Sequence, residues 1–443
     1  MEVEAERQVA ALRAELIAIA AGAPKTAPIC PTCGTPMQRV GQRTRTVLTR
    51  GAVPVTLTGG RYRCSACGAE LPPLAETLDL GSGTYSPWIV ESAVLIGGEG
   101  PFRTAARLLT HVTGVAMSAA TVRRASQAAG ATMCQLELAF AETVRVTGAM
   151  PDLSPDVPLQ LSIDGSLVHL RDEGWREVKL LAIGERPAGE AGLTQLTYAA
   201  TLGRATVFGD EAVGELGRRG VPQATDVVTV NDGAVWIQEF VDLHCPQAQR
   251  VLDFAHAAGS LADAAKATWT DESIVAGWFA TQRHELLTGD PDQVLAALAQ
   301  LPASDQRDTS LSYLARRRDQ IAYRAFTDQG WPIGSGCVER GQRHIVQDRL
   351  KGRGMRWDGA GATAMLAVRI VVANDRWDET WRQVGAAQRV VARARTVQRR
   401  AARQRPPAPS HTGGRRQTGC HPPVASLPPA RLAPLPQPIP PLI

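Results

Sequence analysis

Apolar positions recur along the chain in two rhythms, and the places where the rhythm changes divide it into modules. Val9, Leu12, Leu16 and Ile19 share one helical face before Gly22 and Pro24, which predicts a short packing or dimerisation helix over residues 1–24. Alternation around Arg45 to Arg50 and Val53 to Thr58, with Gly51 and Gly59-Gly60 as turns, predicts a β-hairpin within residues 25–80. Residues 81–150 turn helical: Pro87 to Ile96, Phe102 to Val112, and Ser118 to Ala129 with Ser118 as N-cap. Two short helices across the Thr113-Gly114 turn fit a helix-turn-helix, and a plain helical hairpin fits the same pattern.

From 157 to 256 strands and helices alternate. VPLQLSID, WREVKLLAIG and TQLTYAATLG read as strands, EAVGELGRRG as a helix, TDVVTVND as a strand, AVWIQEFV as a helix, QRVLDF as a strand and HAAGSLADAAKATW as a helix. The order β-β-β-α-β-α-β-α predicts an α/β RNase H-like core with a mixed sheet, formed by residues 157–256 and 331–390. Residues 257–330 read as an all-helical insertion, including one helix over TSLSYLARRRDQIAYRAF, and residues 335 to 350 and 360 to 400 read as helices. The Pro- and Arg-rich stretch 400–443 has no periodicity and is expected to be disordered.

Composition narrows the function. Lys and Arg total 48 against 43 Asp and Glu, a formal charge of +5, which favours a polyanionic partner. No apolar run approaches the roughly 20 residues that span a bilayer, and the acidic start MEVEAERQVA is unlike a signal peptide, so a cytoplasmic protein is expected. Cys30 and Cys33, with Cys64 and Cys67, form two CxxC knuckles, each followed by Gly. That spacing predicts one structural Zn²⁺ in an N-terminal zinc ribbon, contributing folding energy and not catalysis.

Asp164 stands in LSIDGS and Asp232 in VTVNDG, each where an apolar strand reads as ending in Asp-Gly. Carboxylates at the ends of neighbouring buried strands face a common cleft and suit hard cations, although Asp-Gly alone is also turn chemistry. Glu339 follows WPIGSG, with Ser335 able to cap the helix that carries it. Three such carboxylates suit two-metal-ion phosphoryl transfer with Mg²⁺ or Mn²⁺ on a polyanion. Asp253 and His256 in VLDFAH are candidates to support that site, and Asp253 rivals Asp232 as the second metal-binding carboxylate. Nucleic-acid contacts are expected from Ser118, Thr121, Arg123 and Arg124, and from Arg343, Lys351, Arg353 and Arg356, with Trp357 either a core ring or a base-stacking one. Arg340 and Arg349 belong to the same dense basic run.

With CPTCG, YRCSACG, LSIDGS, VTVNDG, LDFAH and GSGCVERGQRHIVQDRLKGRGMRW in view, the chain resembles bacterial insertion-sequence transposases of the DDE class. The nearest likeness is to the Kra-type group, relatives of the Mutator-like elements, over residues 25 to about 385. The resemblance implies that Asp164, Asp232 and Glu339 form a catalytic triad and that residues 257–330 are the helical insertion before the final Glu. It also implies that Asp253 and His256 match an acidic-x-x-His element near the fifth strand. Double-stranded DNA, both transposon ends and target, becomes the expected partner, with a homo-oligomer on DNA and a location beside the bacterial nucleoid. An RNase H-like nuclease without strand transfer, or a zinc-ribbon and helix-turn-helix DNA-binding regulator, are the competing expectations.

Overall fold

The structure, a computed structural model, describes Val9 and residues 27–71, 83–148, 157–187, 192–352 and 354–404. The amphipathic helix expected over residues 1–24, apart from Val9, lies outside the described residues, as do Arg353 and the tail beyond Gln404. Compactness separates Met1–Ala394 from Arg395–Ile443. Of the second unit only the end of the last helix is described.

Strands β1 (Gln38–Leu48) and β2 (Pro54–Arg63) form the expected antiparallel hairpin, to which the short β3 (Glu70–Leu71) adds. Helices α1 (Pro87–Glu99), α2 (Phe102–Thr113) and α3 (Ala119–Thr147) follow. Ser118 caps α3 as expected, its hydroxyl accepting the Thr121 N–H. The helix does not stop near Ala129, however, but runs for 29 residues. Gly130, just past that expected end, is the point where α3 meets a neighbour: a Cβ there would stand 2.0 Å from the Ala364 carbonyl oxygen.

The central sheet has five strands in the order β6 (Thr194–Leu202), β5 (Gly174–Glu185), β4 (Leu159–Leu170), β7 (Val227–Asn231), β8 (Gln249–Leu252). Strands β4, β5 and β6 are antiparallel neighbours, while β4–β7 and β7–β8 are parallel. Helix α4 (Ala205–Arg218) links β6 to β7, and α5 (Val235–His244) links β7 to β8. Central β4 is buried continuously over Leu159–Ile163, as expected of a strand covered on both faces. Strand periodicity divides β5 between two cores: Leu181 and Ile183 pack with Phe208, Ile237 and Phe240 on one face, Leu180 and Ala182 with Met133, Val338 and Met365 on the other.

Helices α6 (Phe254–Thr268), α7 (Glu272–Thr288), α8 (Pro291–Ala299), α9 (Asp305–Ala315) and α10 (Tyr323–Asp328) cover the β7–β8 edge, burying Val230, Leu252, Leu261, Leu314 and Tyr323 together. The single helix expected over residues 309–326 is therefore two, separated by a 3₁₀ turn at Arg318–Gln320. Tyr323 donates its hydroxyl to the Leu252 carbonyl, which ties the second piece to the end of β8. Next, α11 (Gly336–Gly341) passes through a π-helical segment, Gln342–Gln347, into α12 (Asp348–Leu350). Finally α13 (Gly359–Ala373) and α14 (Trp377–Gln404) are separated at Asn374 and Asp375, where Asp375 has φ 53°. The Asn374 side chain accepts the Tyr198 N–H and donates to the Tyr198 carbonyl, which fastens the end of α13 to the open edge of β6.

Candidate acidic site and cysteine cluster

The sheet opens where the acidic residues lie. Parallel pairing of β4 with β7 covers only Leu159–Leu161 against Val227–Thr229. Beyond it the strands diverge, and the Asn231 side chain spans the gap, its Oδ1 accepting the Ile163 N–H at 2.6 Å. Asp164 follows Ile163, and Asp232 follows Asn231, so both carboxylates flank the fork. Asp164 is not at a strand end as expected. β4 continues to Leu170 paired with β5, and from Leu167 onward the two strands run on without β6. Gly165 in that continuation leaves room for the Glu177 side chain, whose Oε1 a Cβ would meet at 2.0 Å.

Asp232 sits at the turn into α5 as the Asp-Gly pattern implies, with Gly233 at φ 79° and its own Oδ1 accepting the Ala234 N–H. Glu339, on α11, is exposed, and α11 packs on β4 and β5 because Gly341 lies against Leu180 and Tyr198. Gln342 reinforces this crossing by donating to the Asp164 carbonyl at 3.1 Å. Burial, then the like charges of Asp232 and Glu339, push the Asp164 carboxyl above its ordinary value, while the Gly165 N–H and His256 pull it down. Asp164 therefore lies within reach of the charge of both other carboxylates.

Asp253 does a different job. Its Oδ1 accepts the His256 N–H and contacts His256 Nδ1 at 3.0 Å, while its Oδ2 accepts the Ser335 N–H at 2.8 Å and hydroxyl at 2.9 Å. Although burial opposes it, these hydrogen bonds hold the Asp253 carboxyl well below its ordinary value. With both oxygens engaged it is poorly suited to rival Asp232 for a cation. Ser335 occupies the N-cap position of α11, but its hydroxyl is given to Asp253 and makes no capping bond, contrary to expectation. The Asp253 hydrogen bond raises the His256 imidazole above its ordinary value against burial, helped by the negative fields of Asp232 and Asp164. His256 is half exposed and lines, with Gly259, Ser260, Asp263 and Tyr313, an open cleft of about 410 Å³.

Tyr313 was not singled out by sequence. It reaches from α9 to donate to the Asp232 carbonyl at 2.6 Å, and Arg317 donates to the neighbouring Gly233 carbonyl. The helical insertion thus braces the Asp232 turn, a role with no local signature in its sequence.

The residues expected to touch nucleic acid divide. Arg123, Arg124, Arg343, Lys351 and Arg356 are exposed, Ser118 and Thr121 shape the first turn of α3, and Lys351 donates to Ser166 at 2.6 Å beside the fork. Trp357 does not present a stacking ring: it is 5% exposed, edge-on to Phe102, and covered by the Arg349 guanidinium at 4.7 Å. Arg349 likewise leaves the basic surface. It is buried, lies over the rings of Phe102 and Trp357, and gives two hydrogen bonds to the Gly97 carbonyl, which ties α12 to α1.

The four cysteines behave as their spacing predicts. Cys30 and Cys33 approach Cys67 at 3.6 Å, Cys33 meets Cys64 at 3.4 Å, and all ligand atoms lie within 4.8 Å of one another. Hydrogen bonding with the Thr35 side chain and backbone draws the Cys33 thiol down to about 6. The set is positioned to bind a metal ion and suits a structural zinc, with Met37, Tyr62 and Leu71 packed beside it. Among the described residues no other group of three or more His, Cys, Asp or Glu gathers this tightly. No helix among them is long and apolar enough to cross a membrane. In comparison with known proteins, no family model matches the chain and no curated protein matches it in sequence.

Proposed function

We propose that the protein is a DDE-type DNA transposase, in which Asp164, Asp232 and Glu339 serve metal-dependent cleavage and strand transfer of double-stranded DNA. The observation that carries this reading is the fork between β4 and β7, where the Asp164 and Asp232 carboxylates flank the splayed strands and the charge of Glu339 also reaches Asp164. The strand order β6-β5-β4-β7-β8, with its antiparallel half and parallel half, supports an RNase H-like core in this reading.

These side chains fit hard divalent cations such as Mg²⁺ or Mn²⁺, because carboxylate oxygens under mutual repulsion gain most when a cation arrives. Bound there, a pair of such ions supplies activation of a water or 3′-hydroxyl and stabilisation of the leaving oxygen. The chain's own residues do the rest. Asn231 keeps the fork open, Gln342 and Gly341 set Glu339 across it, and Tyr313 fixes the backbone of Asp232. His256 turns its free ring edge toward the open cleft, where an imidazolium attracts a phosphate. Exposed Lys351 and Arg343 extend that attraction along the side of α11 and α12. Working on two ends at once requires a homo-oligomer on DNA.

The test is cleavage of a plasmid carrying the element's own ends, in Mg²⁺ or Mn²⁺, by wild type and by Asp164→Ala and Glu339→Ala. Nicked and joined products that disappear in both variants are expected. Sequence-selective binding without cleavage by the wild type would replace the enzyme reading with a DNA-binding regulator.

A further inference from the structure

The β1–β2 hairpin carries a charge pattern that the acidic site does not use. Its strands, QRVGQRTRTVL and PVTLTGGRYR, contain five arginines and no acidic residue. Arg61 pairs with Glu70 and Arg45 donates to the Gly83 carbonyl. Arg39, Arg43 and Arg63 are exposed and have no ion-pair partner among the described residues. Register pairs Thr44 with Thr58 and Thr46 with Thr56 on one face, their hydroxyls 3.1 and 3.2 Å apart, and Gln42 shares that face. All five of these side chains are exposed, whereas Val47, Val55 and Leu57 on the opposite face are buried.

The hairpin is also anchored. Its turn at Arg50–Ala52 abuts the turn after α2, since a Cβ on Gly114 would stand 3.1 Å from the Gly51 Cα. Leu48 exchanges backbone hydrogen bonds with the segment entering α1, and Tyr85 donates to Ala116 just before α3. The ribbon therefore projects from the same rigid base as Ser118, Thr121, Arg123 and Arg124, with the cysteine cluster at its other end.

From these observations we propose that the β1–β2 ribbon enters the major groove of double-stranded DNA, its Gln42, Thr44 and Thr58 face toward the base edges with Arg39 at the end of that face, while Arg43 and Arg63, which stand on the Leu57 face, reach around the strand edges to the flanking phosphates. A two-stranded ribbon, with strands about 4.8 Å apart, fits a groove about 12 Å wide, and Thr and Gln side chains can both donate to and accept from base edges there. The absence of acid removes the repulsion that would otherwise oppose approach to phosphate. The inference rests on the DNA-directed reading above but not on its catalysis.

Full-length protein is titrated with a fluorescent mixed-sequence 30-base-pair duplex across a salt series. The triple variant Arg39→Ala, Arg43→Ala, Arg63→Ala is expected to bind roughly tenfold or more weakly, with a salt slope shallower by about 2 to 3, since each phosphate contact contributes about 0.9. Thr44→Val with Thr58→Val should keep the slope yet lose the enrichment of preferred sequences that wild type shows from a randomised duplex pool. Methylation of guanine N7, in the major groove, should block wild-type binding, and a minor-groove polyamide should not. Should the triple variant lose zinc, Arg43→Glu alone, opposite Gly59, gives the same comparison in an intact ribbon. Unchanged affinity and slope in a zinc-loaded variant, block by the polyamide alone, or tighter binding of single strands or RNA than of duplex would overturn the inference. Loss of cleavage with these binding results intact would remove the transposase reading and leave the ribbon as a DNA-reading element.

Discussion

Asp253 illustrates how one side chain organises the acidic site without belonging to its charge cluster. Its oxygens join the first turn of α6 to the entry of α11, which carries Glu339. Asp253→Asn should cost about 2 kcal/mol, because an amide weakens charge-assisted hydrogen bonds at a buried position. The pH dependence has a definite sign. The carboxyl is held below its ordinary 3.8, so its contribution is complete above that value and lost as pH falls below it. His256 is held above its ordinary 6.5, so its contribution is complete below 6.5 and lost as pH rises through the elevated value. Urea midpoints measured from pH 3 to 9 should show both slopes in wild type and much smaller ones in Asp253→Asn. Identical profiles would mean that the pair is not formed. The sequence marked Asp253 and His256 as neighbours of the site, because an Asp three residues before a His at a helix start is local information. Trp357 and Arg349 were harder to read for the opposite reason. A tryptophan among basic residues reads as surface, and only α1 and α2, some 250 residues earlier, supply Phe102 and Gly97 to bury it.

At the scale of elements, strand order and periodicity were legible because the buried strands are short apolar runs bounded by turn residues. What escaped were continuations: β4 beyond Asp164-Gly165, and α3 beyond Gly130. In both, a residue that locally signals a stop is demanded by a close approach. At Gly130, alanine would raise helix propensity by up to about 1 kcal/mol, but its Cβ meets backbone on α13 and neither helix can yield cheaply. Gly130→Ala should therefore lower stability by roughly 1 to 3 kcal/mol at unchanged m-value, and a stabilised variant would mean that the α3–α13 contact is looser than described. The cysteine end of the ribbon depends on its cysteines, since the apolar cluster there comprises little beyond Met37, Tyr62 and Leu71. Chelation, or Cys64→Ala, should release one equivalent of zinc and abolish amide-exchange protection in β1 to β3 while leaving β4, β5 and β7 protected. Protection that survives metal removal would show that the ribbon folds without it.

For the molecule as a whole, the five-stranded sheet, its helical cover and the ribbon on its helical base form one compact unit over Met1–Ala394. The helices over 257–330, read from the sequence as an insertion, pack with the start of α6 against β7 and β8 and brace Asp232 through Tyr313 and Arg317. That bracing was not legible because it joins residues about 80 positions apart through a hydroxyl and a guanidinium that are individually unremarkable. In the proposed transposase Asp232, not Asp253, completes the acidic set with Asp164 and Glu339. The most direct test compares Asp232→Ala with Asp253→Ala for joining of the element's ends to target DNA in Mn²⁺, with folding of each variant checked by circular dichroism. Joined product should vanish in Asp232→Ala and persist at a reduced level in Asp253→Ala; joining that survives Asp232→Ala but not a folded Asp253→Ala would contradict the assignment.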